Sequence, residues 1–128
     1  MSDTFSIKLT FPVAPDTIYN AWLNSDEHSK MTGAPASIKP MPHTEFTAWD
    51  GYIFGKNLKL IPGEKIVQSW RTTDFAKEDE DSEIEIILTE TEEGCELILI
   101  HSRIPDNQPD YKQGWMDFYF EPMKIYFQ

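Results

Sequence analysis

Three histidines, one cysteine and twenty-two carboxylates are the side chains of this 128-residue chain suited to acid–base, nucleophilic or metal chemistry. Their spacing organises none of it. His28, His43 and His101 fall in a helical, a loop and a strand context, and none has a second ligand at helical or strand spacing, so no metal site is expected. His101 is in phase with Leu97 and Leu99 and should face the interior. A hydrogen-bonded core histidine needs only a polar partner, whereas a general base also needs a reactive neighbour, and the sequence offers none. Cys95 heads an apolar strand pattern and reads as a small core residue, not a nucleophile. Glu45 and Asp50 lie near Trp49, but a hairpin accounts for them. Gly51 and Gly55 are turn and strand glycines with no helix behind them to bind phosphate. Arg71, next to Trp70 on a strand, points to the opposite face and suits an outer salt bridge. With no acid, base or nucleophile to assign, the chain is expected to be a non-enzyme without a cofactor.

Charge narrows the partners. Eleven basic residues oppose the twenty-two acids, for a net charge of −11. Such a field repels phosphate backbones and anionic lipid heads, so neither nucleic acid nor membrane is an expected partner. Between Asp74 and Glu93 there are ten acids and one base, Lys77. A solvated loop and strand edge explains this stretch; a docking patch for a basic partner is the alternative. The opening Met1-Ser2-Asp3-Thr4 lacks the basic and apolar regions of a secretory signal, and no apolar run approaches the ~18 residues of a membrane span. With a lone cysteine, these features lead us to expect a cytoplasmic protein.

The elements that would position these side chains follow from periodicity. Phe5, Ile7, Leu9 and Phe11 alternate with polar residues, a strand with one buried face. Pro12 and Pro15 end it, and Pro15 with Asp16 suits the start of a helix whose i,i+4 pairs are Ile18/Trp22 and Tyr19/Leu23. Ser25 is the expected cap of a second short helix stopped by Gly33 and Pro35. Strands are predicted at Glu45–Trp49, Tyr52–Ile61 and Lys65–Thr72, joined by Asp50-Gly51 and Pro62-Gly63 turns. A long acidic loop, a strand through Ile84, Ile86 and Leu88, a Glu93-Gly94 turn and a strand at Cys95–Ser102 come next. The segment from Asp110 to Phe127 is the longest helical candidate, with Tyr111, Trp115, Phe118, Pro122 and Tyr126 as one stripe and a kink at Pro122. This order predicts a single α+β domain over residues 1–128, with the aromatic helix covering the concave face of a twisted sheet.

Several of these segments are familiar. Phe11-Pro12-Val13-Ala14-Pro15 with Ile18-Tyr19-Asn20-Ala21-Trp22, then Asp50-Gly51 with Gly55, then Ile61-Pro62-Gly63-Glu64-Lys65-Ile66-Val67 with Trp70-Arg71, resemble the homologue family of the activator of the ninety-kilodalton heat-shock chaperone ATPase. Ile104-Pro105, Gln113-Gly114-Trp115 and Tyr119-Phe120-x-Pro122-Met123-Lys124 are similar to that family's closing helix. The resemblance runs through nearly the whole chain and corresponds to the C-terminal half of the two-domain members. It implies the START-like helix-grip fold shared with the birch-pollen allergens: a curved antiparallel sheet around a long C-terminal helix, with two short helices after the first strand. It also implies a stress-related, co-chaperone-like role with a heat-shock chaperone as partner, acting as a monomer or weak homodimer. The same fold commonly holds a small apolar or aromatic ligand between sheet and helix. Here the lining expected for one is Phe46, Leu58, Gln68, Trp70, Ile86, Leu97, Leu99, His101, Trp115, Phe118 and Tyr119. These side chains have the volume either to enclose a cavity or to fill it.

Overall fold

Alternation builds the sheet. In the computed structural model, which describes residues 3–128, β1 (Asp3–Phe11) turns Ile7 and Phe11 into the core and leaves Ser6, Lys8 and Thr10 exposed. Met1 and Ser2, which open the expected domain and the stretch read for a secretory signal, lie outside the described residues. β2 (Glu45–Ala48), β3 (Ile53–Ile61), β4 (Lys65–Thr72), β5 (Ser82–Thr91) and β6 (Gly94–Ile104) complete a six-stranded antiparallel sheet of order β1-β6-β5-β4-β3-β2. β1 and β6, distant in sequence, pair along nearly their whole length.

Two short helices follow the first strand. α1 (Pro15–Trp22) begins on its proline and buries Ile18, Tyr19, Ala21 and Trp22. α2 (Ser25–Thr32) is capped by Asn24, whose Oδ1 accepts from the Glu27 amide at 2.9 Å. Ser25, the expected cap, is engaged elsewhere: its Oγ donates to the Ile38 carbonyl and accepts from the Ile38 amide, tying the next loop to the helix. Gly33, in the left-handed region at φ 83°, ends the helix. The Pro62-Gly63 turn forms as its residues demand, with the Glu64 amide donating to the Ile61 carbonyl at 2.9 Å.

The C-terminal helix departs most from expectation. It comprises α3 (Tyr111–Trp115), a π-helical turn at Met116–Phe120 and α4 (Glu121–Tyr126), with Pro122 in the first turn of α4. Proline cannot donate to the preceding turn and its ring crowds the carbonyl four residues back; a wider i→i+5 turn placed before it accommodates both problems. The extra residue moves the buried stripe by one position. Tyr111, Trp115, Tyr119, Phe120, Met123 and Phe127 are buried, while Phe118 and Tyr126, assigned to the buried stripe by a regular helical period, are exposed.

The buried helix residues join Ile66, Ile84, Ile86, Leu97 and Leu99 in one hydrophobic core. Each fully buried aliphatic side chain stabilises the fold by about 1.5–3 kcal/mol. α1 packs against β5 and β6, and α2 against α4, closing one end of the grip. The architecture is α+β, a curved sheet wrapped around a C-terminal helix.

Candidate functional site

The buried polar groups are the first place to look for chemistry, and among the described residues their side-chain atoms all have partners except Trp49 Nε1. His101 on β6 is completely buried; its Nδ1 lies 3.1 Å from Trp115 Nε1 and its Nε2 2.9 Å from Ser82 Oγ. An indole N–H can only donate, so Nδ1 accepts and the imidazole proton sits on Nε2, donating to Ser82. Ser82 in turn donates to the Trp70 carbonyl. Burial pulls the His101 pKa down to about 3, so the ring is neutral. His28 on α2 holds the opposite tautomer. Its Nδ1–H donates to the Trp22 carbonyl at 2.8 Å, and its Nε2 accepts from the Tyr119 hydroxyl at 2.9 Å. Burial lowers the His28 pKa and raises that of Tyr119. Both histidines therefore act as struts between helix and sheet or helix and helix. A second chain runs from Trp22 Nε1 to Gln68 Oε1 (3.3 Å) and from Gln68 Nε2 to Asn57 Oδ1 (2.8 Å). It ends where Asn57 Nδ2 donates to the Lys39 and Met41 carbonyls and so fixes the loop before β2. Burial raises the thiol pKa of Cys95, which is enclosed in the core. Among the described residues no group of three or more His, Cys, Asp or Glu is placed to hold a metal.

An aromatic cleft of about 310 Å³ between the C-terminal helix and the turn joining β2 to β3 is able to receive another molecule. From the sheet side come Trp70 and Ile53; from the turn, Trp49 and Tyr52; from the helix, Tyr111, Trp115, Phe118 and Tyr119. Pro109 and Asp110 close one edge. The β2–β3 connection is wider than the two-residue hairpin expected from Asp50-Gly51. Trp49 (φ 52°), Asp50 (φ 56°) and Gly51 (φ 89°) are all left-handed, and the strands stop at Ala48 and resume at Ile53. This backbone brings the Trp49 ring to 5.6 Å from the ring of Phe118, at 74°. Phe118 is 57 % exposed, because the π turn rotates it out of the core and onto the lip of the cleft. Trp49 Nε1 is a buried donor without a hydrogen-bond partner.

The expected lining residues divide among three places. Trp70, Trp115, Phe118 and Tyr119 meet around the cleft. Phe46, Ile86, Leu97 and Leu99 are packed in the core, and Gln68 and His101 are spent on the internal hydrogen bonds just described. Leu58 is on the outer surface instead, 38 % exposed. A register irregularity between Asn57 and Lys59 makes it the bulged residue of β3, so Asn57 takes the inward position. The sequence reading missed Trp49, Tyr52 and Tyr111 as cleft residues. Only the φ values of the turn bring the first two to the helix, and periodicity places Tyr111 in the helical stripe without assigning it to the cleft. Arg71 forms the outer salt bridge expected of it, to Asp81 at 2.8 Å, and also bonds the carbonyls of Ala76 and Asp79, which holds the acidic loop in place.

Comparison with known proteins agrees with this fold. Residues 12–128 match the family model described as "Activator of Hsp90 ATPase homolog 1-like protein". The human "Activator of 90 kDa heat shock protein ATPase homolog 1" is 27 % identical over 120 residues, which is 93 % of this chain and 35 % of that protein. The chain thus spans about a third of the length of the curated relatives it matches. Among solved structures, an HSP90 activator from Plasmodium falciparum superposes with a TM-score of 0.84 at 21 % identity, covering 98 % of this chain and 95 % of the other. The Aha1 dimer from Colwellia psychrerythraea superposes with a TM-score of 0.81 at 18 % identity, covering 98 % and 96 %. The family match over all but the first eleven residues shows that the chain belongs to the Activator of Hsp90 ATPase homolog 1-like family.

Proposed function

We propose that this chain is a non-catalytic, co-chaperone-like domain that engages an Hsp90-class chaperone, with the aromatic cleft as its contact site. The observation that carries this reading is where the cleft opens. Polar groups inside the grip are bonded to one another, whereas the cleft reaches the surface and presents Phe118 on its lip. Aromatic side chains that are half desolvated before contact are what interface hot spots are made from. The names of the matched relatives supply the class of partner. A cytoplasmic location accords with such a partner. As one domain, the chain would bind weakly, since linking a second module is worth about 10²–10⁴ in apparent affinity.

A second reading rests on the volume. At about 310 Å³ the cleft is at the lower end of small-molecule sites, and its wall is almost wholly apolar, which suits a small aromatic ligand. Adding the chaperone to isotopically labelled protein separates the two. Shifts of the Trp49 and Trp115 indole N–H signals on addition of chaperone support the co-chaperone reading. Shifts with small aromatic compounds, accompanied by a rise in melting temperature, and none with chaperone favour the ligand.

A further inference from the structure

The aromatic cleft does not stand alone. A polar groove of about 410 Å³ lies against it, lined by Asp74, Glu78, Asp79 and Asp106 with Asn107 and Gln108. The partition between them is a set of hydrogen bonds. The hydroxyl of Tyr52, a cleft residue, donates to Asp74 Oδ2 at 2.6 Å. Tyr111, also of the cleft, donates to Gln108 Oε1 at 2.7 Å, and Gln108 Nε2 donates to the Asp74 carbonyl at 3.3 Å. Cleft and groove are therefore one side chain apart, and the segment from Pro105 to Asp110 contributes to both. Among the described residues no lysine or arginine lines either, although Lys77 lies in the same loop between Ala76 and Glu78. Arg71 is bonded to Asp81 and to the carbonyls of Ala76 and Asp79.

An apolar slot beside Asp74, Glu78 and Asp79, in a chain of net charge −11, complements one kind of occupant. We infer that the cleft and the groove together receive an extended, basic segment of the partner chaperone, whose aromatic or large aliphatic side chain enters between Trp49, Trp70 and Phe118 while a lysine or arginine close to it in sequence meets the carboxylates. This inference rests on the co-chaperone reading and adds the chemistry of the docking segment. An extended chain advances about 3.3 Å per residue, so a partition one side chain thick places the basic residue within about two or three positions of the apolar one. A cation near the rings gains from their faces as well. The same complementarity steers association and weakens with salt.

The test uses the full chain and a capped peptide, Gly-Phe-Lys-Lys-Lys-Gly, with two control peptides that replace the phenylalanine by alanine or the lysines by glutamate. The Phe118→Ser and Glu78→Lys variants alter exposed side chains and should melt as the parent does. Binding is read from the tryptophan indole N–H signals at low and physiological salt, and chaperone binding is measured on the same variants. The expected result is that the Trp49 and Trp115 signals move with the basic aromatic peptide, that each control peptide and each variant weakens binding at least tenfold, and that both variants weaken chaperone binding. Equal binding of either control peptide, or full binding by Phe118→Ser, overturns the inference. Chaperone binding that is undiminished in both variants overturns it too, while leaving the co-chaperone reading intact. A parent chain that never binds chaperone overturns the inference and the co-chaperone reading together, whatever the peptides do.

Discussion

At the scale of residues, the two buried histidines make opposite demands of the proton and can be checked individually. His101 should carry its proton on Nε2 and His28 on Nδ1, because Trp115 Nε1 can only donate and the Trp22 carbonyl can only accept. Imidazole nitrogen shifts should show both neutral tautomers at pH 8 and that of His101 unchanged down to pH 5. Their pKa values also set a direction for stability. Folding holds His101 neutral down to about pH 3, whereas the unfolded chain takes up a proton near pH 6.5. Between those values the unfolded state binds more protons, so stability is fully present above about 6.5 and is lost as the pH falls towards 3. The unfolding free energy should drop on acidification with a limiting slope of about 1.4 kcal/mol per pH unit for each such histidine. A His101→Phe variant, although less stable because Trp115 and Ser82 lose a partner, should show a shallower slope. An unchanged slope would mean that His101 is not held neutral. His101 was readable as an inward residue because Leu97 and Leu99 set the phase of its strand. His28 was not, since its hydroxyl partner Tyr119 is 91 positions away.

Among the elements, strands were the most legible, because a period of two with Gly and Pro punctuation has few alternatives. β1, β3 and β4 lie within a residue or two of where alternation places them. Irregularities are what alternation hides. The bulge at Leu58, the left-handed Trp49 and Asp50 and the π turn at Met116–Phe120 each insert or redirect one residue, and each changes which side chain faces inward. The π turn gives a direct contrast. Phe120 is fully buried and Phe118 is not, the reverse of what a regular helix from Tyr111 requires. Phe120→Ala should cost about 3–5 kcal/mol of unfolding free energy, and Phe118→Ala within about 0.5 kcal/mol of nothing. Comparable losses at both positions would contradict the shifted stripe. Removing residues 110–128 should expose the concave face of the sheet and abolish the cooperative transition; a truncated chain that still melts sharply would mean the sheet does not depend on its helix.

For the molecule as a whole, element order points to an α+β domain and the family resemblance to a helix-grip sheet, and the residues carrying that resemblance lie where the fold needs them. Pro15 starts α1, Pro62-Gly63 turns β3 into β4, and Trp115 reaches across to His101. The cleft was only half legible. Trp70, Trp115, Phe118 and Tyr119 follow from the ligand site that the helix-grip resemblance implies, but the wall opposite them is made by a turn whose backbone angles no composition reveals. The charge matters at this scale as well. A net charge of −11 with Asp74, Glu78 and Asp79 beside the cleft should make any complex with a basic surface tighten as salt is lowered, and exchanging Glu78 and Glu80 for lysine should flatten that dependence. If this chain acts on an Hsp90-class chaperone through the aromatic cleft, as proposed, the ATP turnover of the host chaperone at low salt should rise with excess of the parent chain, and the rise should be largely lost with Phe118→Ser at equal folded concentration. Stimulation that is equal for both, or absent with the parent, would rule that role of the cleft out.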